Sequence, residues 1–501
     1  MQIGNTQLQP GRWILHAAIV AACWALASGL HAANNDKMSD AEITNAIETN
    51  LLIEEGVSPH LIDVKTIDGV ATLSGSVANL LEKEKALNVA RSIKGVRSIV
   101  DRLGVRTAAR SEGALETDVT DSLRIDPVTE AYEIDVSVNE GIVTLQGTVE
   151  SWAEKQLAAR VVKGVRGVLG VRNRIDYEYT EGRSDRDIKA DIEGRLKADS
   201  YIDDYLIDIE VNDGVVTLSG TVGSLAEKIY ARTDAHVAGV KRVNATDLKV
   251  KPWAADEMQR DWKVASTTDG EIKKSVRDAF LYDPRVASFN IDVQVNDGTV
   301  TLSGTVNNLQ ALRSAERDAR NTTGVLQVEN NLKVRPETDI EDSTIAQDLR
   351  EALAWDPIVD RFDLIVTVRN RMAYLTGVVD HEYQKEQAED VAARVKGVAA
   401  VLNNIQVQEG WPWKSDSQIK EDIHDQWAWS PWVDGGDLTV RVDKGKAAIA
   451  GSVETWPELL SAVENAFEGG AERVESYIRV NEEDRYFNHS WTEPPNRVLP
   501  F

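Results

Sequence analysis

The chain has 501 residues, 42% apolar and 28% charged, which is too long for one small core and too apolar for disorder. Lysine and arginine number 56 against 82 acidic residues, a net charge of −26, so the balance argues against a nucleic-acid partner. The single cysteine, Cys23, leaves the rest without disulfides or thiolate zinc sites.

Residues 1–33 read as an export signal. Arg12 precedes an apolar run from Trp13 to Leu30, which ends in the small-residue cleavage site Leu30-His31-Ala32-Ala33. Val20-Ala21-Ala22-Cys23 also resembles a lipoprotein box. Cleavage, a lipid anchor on Cys23 and retention as an anchor therefore all stay open, with the periplasm as the expected location.

Behind this segment a glycine inside a strand-like run recurs at Gly75, Gly147, Gly220, Gly304, Gly377 and Gly451, with spacings of 72, 73, 84, 73 and 74. Every copy yields the same elements when counted from it. A first helix carries one apolar stripe at i, i+4 and i+8, as in Ile43/Ile47/Leu51 and Ile188/Ile192/Leu196. Its cap is Ser39, Ser111, Ser184, Thr268 or Ser415, with capping boxes Ser39/Glu42, Thr268/Glu271 and Ser415/Gln418. Copy five has Glu341 instead. The helix stops at Asp126-Pro127, Asp283-Pro284, Asp356-Pro357 and Ser430-Pro431.

A hairpin follows. Ile207/Ile209/Val211 and their counterparts alternate with polar residues, and the turn is Asp68-Gly69, Glu140-Gly141, Asp213-Gly214, Asp297-Gly298 or Lys444-Gly445. Copy five has Asn370-Arg371, which predicts a different turn or a strained one. The glycine within the return strand predicts a bulge, or a close approach by the element packed above it. That element is a second helix with an alanine stripe: Ala86, Ala158, Ala231, Ala315, Ala388 and Ala462. Gly95, Gly167, Gly239, Gly324 and Gly397, each followed by valine, end it and lead into a third strand such as Val328 to Val334.

The fold class is therefore α+β: six tandem α-β-β-α-β modules, each a three-stranded mixed sheet covered by two helices. Their bounds are 38–107, 111–180, 184–252, 268–336, 342–409 and 415–482, with a linker at 253–267 and a tail at 483–501. A unit of about 70 residues is marginal alone, so contacts between neighbours are expected to contribute.

The module order and the run Ile207-Asp-Ile-Glu-Val-Asn-Asp-Gly-Val-Val-Thr-Leu-Ser-Gly-Thr-Val222 resemble the BON domain family. The resemblance implies a non-enzymatic bacterial envelope protein that associates with phospholipid membranes or envelope proteins. A stress-protective or chaperone-like role goes with it. It carries over no catalytic or ligand residue, and the strand and hairpin glycines are structural. A soluble periplasmic chaperone or scaffold without lipid binding is the alternative.

The histidines His16, His31, His60, His236, His381, His424 and His489 share no repeat position and show no metal spacing. No cofactor, metal or catalytic site is expected. Two departures from the repeat are the candidate contacts. Arg160, Lys163, Arg166, Arg172 and Arg174 form a basic run in copy two, suited to phospholipid head groups or an acidic partner, or else a solvated face. Seven of 13 tryptophans lie from Trp411 onward. Among them Trp429 aligns with Trp355, and Trp432 replaces smaller residues and is expected at the surface, for membrane or partner contact or for packing between modules.

Overall fold

The computed structural model describes residues 38–179, 182–256, 267–287, 289–336, 340–408, 414–454, 456–480 and 486–491. Residues 1–37, which include the segment read as an export signal with Cys23, and Trp262, Trp411 and Trp413 lie outside them. The first helices are Asp40–Ile53, Glu112–Ile125, Asp185–Ala198, Asp269–Tyr282, Asp342–Trp355 and Asp416–Trp429. The second helices are Leu80–Arg91, Trp152–Lys163, Leu225–Asp234, Leu309–Arg320, Glu382–Arg394 and Trp456–Glu468. Each module has its own sheet with strands in the order one-two-three. In module three, Ile207–Asn212 runs antiparallel to Val215–Val222, which runs parallel to Arg242–Val250.

The predicted capping boxes form, and Glu341 makes no side-chain cap bond. A second device at each helix start was not anticipated. The carboxylate at the first helical position clamps the hairpin turn of its own module. Asp342 accepts from the Asn370 N–H at 2.7 Å and the Arg371 N–H at 2.9 Å. Asp40, Asp185, Asp269 and Asp416 do the same, and Glu112 takes one such bond. Copy five thus keeps the common turn without the glycine: Asn370 and Arg371 sit at φ 50° and 63°. Its turn does not differ; it holds Arg371 in the left-handed region, a strained conformation for a long side chain.

The strand glycines were expected to make room for the helix above. The close approach instead comes from the carbonyl just ahead of the first strand. A Cβ on Gly220 would lie 2.1 Å from the carbonyl oxygen of Leu206, and one on Gly451 would lie 2.0 Å from that of Asp437. Gly220 also has φ +108° and Gly451 +145°. Only glycine satisfies both conditions. The alanine stripe does let the helix sit on the sheet, with Ala86, Ala158, Ala231, Ala315, Ala388 and Ala462 all fully buried.

Module six carries a fourth strand. Tyr486–Trp491 pairs antiparallel with Arg473–Val480, where the sequence suggested only a tail. It covers the backbone edge of the third strand, which would otherwise present unpaired donors and acceptors.

Gly220→Ala should cost about 3 kcal/mol or more and lower the thermal midpoint of the full chain. Gly104→Ala should stay within about 0.5 kcal/mol, because its Cβ would meet nothing closer than 3.7 Å. Equal effects would remove the close-approach explanation.

Candidate functional site at the seams between modules

A first helix ends in carbonyls that have no donor within the helix. In modules two and five these ends serve each other. The Arg166 N–H donates to Trp355 O at 2.7 Å, and the Lys396 N–H donates to Ile125 O at 3.0 Å. Both donors immediately precede the glycine that stops a second helix, so the contact is two-fold and reciprocal. The same bond joins modules one and six, from Lys94 N–H to Trp429 O at 2.9 Å. It also joins three and four, from Thr323 N–H to Ala198 O at 2.7 Å. The array therefore folds back at the linker, with the first module against the last.

A second kind of contact is centred on the residue nineteen positions before each strand glycine. Trp432 of module six meets its own counterpart in module three, Tyr201, edge-on at 5.0 Å, and Tyr230 at 5.7 Å. Arg285 of module four pairs with Asp126 of module two at 3.2 Å. In module one the position is Gly56, and the ring of Tyr383 from module five takes up the space, 2.8 Å from where a Cβ would stand. The Tyr383 N–H donates to Glu55. Taken together, contacts run one–six–three–four–two–five and back to one.

These seams absorb most of the candidate residues. Lys163 pairs with Glu84 of module one, and Arg166 pairs with Asp360 of module five. Arg160 faces module four, where burial, with Arg285 and Arg317 beside it, pulls its guanidinium down to about 10. Only Arg172 and Arg174 stand exposed together, on the third strand of module two, and neither has an ion-pair partner among the described residues. The basic run is therefore not one patch. Trp432, expected at the surface, is 3% exposed because the module-three core closes over it. Trp429 packs on the core of module one.

The module two–four seam also buries a charge cluster. Asp126 and Arg285 are almost inaccessible, and Arg317 reaches Asp283 at 2.8 Å and Asp318 at 3.4 Å. Burial and the nearby Asp283 push the Asp318 carboxyl well above the usual range. Sequence reasoning missed this cluster because its members lie in different modules. Among the described residues, no group of three His, Cys, Asp or Glu is placed to hold a metal ion, and no helix is long and apolar enough to cross a membrane.

The BON domain model matches residues 39–107, 111–179, 184–252, 268–336, 341–409 and 415–482. The chain belongs to the BON domain family. It is 32% identical over 143 residues to the Osmotically-inducible protein Y of Escherichia coli (strain K12), covering 27% of this chain and 71% of that BON-type relative. Two solved structures of CdsD, a structural protein of the type III secretion system of Chlamydia trachomatis, match at 15% and 16% identity. They cover 42% and 47% of this chain and 100% and 98% of their own, with TM-scores of 0.12 and 0.13.

Trp432→Ala should destabilise the three–six seam by about 3–5 kcal/mol and raise protease sensitivity in modules three and six before the others. Uniform sensitivity along the chain would contradict the seam assignment. A second expectation concerns Asp356, which is buried where the first helix of module five ends. Burial pushes its carboxyl up to about 6. The folded state then holds the proton more tightly than the unfolded one, so this group's contribution to stability is fully present below about pH 4 and is lost as pH rises through about 6. The loss is roughly 3 kcal/mol at most. Asp356→Asn should flatten that part of the thermal-midpoint profile; an unchanged slope would assign it to another group.

Proposed function

We propose that the chain is a non-enzymatic protein of the bacterial envelope that binds phospholipid surfaces or envelope proteins and acts in osmotic stress protection. The observation that carries this reading is that all six modules match the BON domain model. The likeness to an osmotically inducible protein supports the stress role. The N-terminal segment, read from sequence as an export signal that is cleaved, anchored through Cys23 or retained as an anchor, supports a periplasmic site of action. No cofactor enters the proposal.

Because the seams consume Arg160, Lys163, Arg166, Trp429 and Trp432, the lipid contact falls to the outward sheet faces. Arg172 and Arg174 are two exposed cations there without an acidic partner among the described residues, two residues apart and on one side of a strand. Each cation near an anionic bilayer is worth about 1 kcal/mol, and the attraction weakens with salt.

Co-sedimentation with anionic vesicles at low salt tests this. The full chain should bind, and Arg172→Glu with Arg174→Glu should weaken binding roughly tenfold or more without changing the thermal midpoint. If the chain leaves vesicles unbound yet suppresses aggregation of an unfolded client, the soluble chaperone reading replaces this one.

A further inference from the structure

The outer sheet face of module five departs from the other five. At the position of Ile365, modules one to four carry Asp63, Asp135, Asp208 and Asp292. Opposite the second strand, Leu402 stands where the others have Val100, Arg172, Asn244, Glu329 and Glu475. Met372 and Val378 lie on the same side of the strand as Tyr374, which pairs with Leu402. Ile365 is 65% exposed, Val378 49%, Leu402 45% and Met372 37%. Flat apolar sheet faces are normally avoided because they associate, so this one is a candidate docking surface.

The charges along its edge strand indicate which occupant. Ile365, Thr367 and Arg369 are exposed and alternate with the buried Val366 and Val368, and Asp363, two residues ahead of the strand, is exposed in the same alternation. An acid thus closes one end of the apolar strip and a cation the other. Two such strips related by a two-fold axis place the Asp363 of each against the Arg369 of its mate, with the apolar residues between them. Sheets pack face to face at about 10 Å, which suits side chains of this size. A lipid surface would have no use for the acidic end.

We propose that the module-five sheet face packs against the same face of a second copy of this chain, forming a two-fold dimer. The face is small, on the order of 350 Å² per copy from strand spacing, against about 800 Å² in a stable interface. The dimer is therefore weak and concentration-dependent.

Sedimentation velocity on the full chain from about 1 to about 300 µM is the test, a range suited to an interface below standard size. A reversible shift toward dimer is expected. Ile365→Asp, which restores the residue type of modules one to four, should abolish the shift while leaving the thermal midpoint unchanged. Asp363→Arg or Arg369→Asp alone should weaken the dimer, and the two together should restore it. A chain that stays monomeric throughout, or a dimer that Ile365→Asp leaves intact, overturns the proposal. So does a monomer whose binding to vesicles is lost on Ile365→Asp, which would assign the face to lipid.

Discussion

The last carbonyls of each first helix have no partner within the helix, and three of the seams are built on supplying one. The donor is always the N–H just before the glycine that stops another module's second helix: Arg166, Lys396, Lys94 or Thr323. That glycine turns the backbone into the left-handed region, which leaves the preceding N–H pointing away from its own module. The feature that ends a helix within one module thus equips it to dock on the next. A hydrogen bond of this kind contributes about 1 kcal/mol by itself. Its larger effect is to fix orientation, so that aromatic and charged side chains nearby meet in register.

Within a module, the constraint is the narrow passage between the strand glycine and the carbonyl oxygen ahead of the first strand. It draws the two hairpin strands together at one end. The aspartate at the start of the first helix holds the turn at the other. Module five shows how the two share the work, because it lost the turn glycine and the helix cap yet kept Asp342 and Gly377. Its hairpin retains the common geometry with Arg371 at positive φ.

The six modules are alike where they fold and unlike where they meet. The position nineteen residues before the strand glycine is Gly56 in module one, Tyr201 in three, Arg285 in four and Trp432 in six. Gly56 and Trp432 meet tyrosine rings, Tyr201 meets an indole and Arg285 meets a carboxylate. The residue type at this position suits the neighbour it meets: Arg285 faces the buried Asp126 carboxylate, and the Trp432 indole packs edge-on against two tyrosine rings. The outer sheet faces differ as well: module two carries the exposed Arg172 and Arg174, and module five the exposed Ile365 and Leu402.

Periodicity, caps and turn residues in the sequence determined the module, its bounds and its α-β-β-α-β order, since each depends on residues close together in the chain. The alanine stripe and the helix-stop glycines were legible for the same reason. The aspartate clamp was also present in the sequence, as an acid after every cap residue, but its target lies 28 residues on and no local rule points to it. Trp432 and the basic run could not be placed from sequence. Burial there depends on which modules face each other across the array, and that is set by contacts between residues hundreds of positions apart. Only the tertiary structure decided that the chain folds back on itself, buries those candidates and leaves the module-five face open.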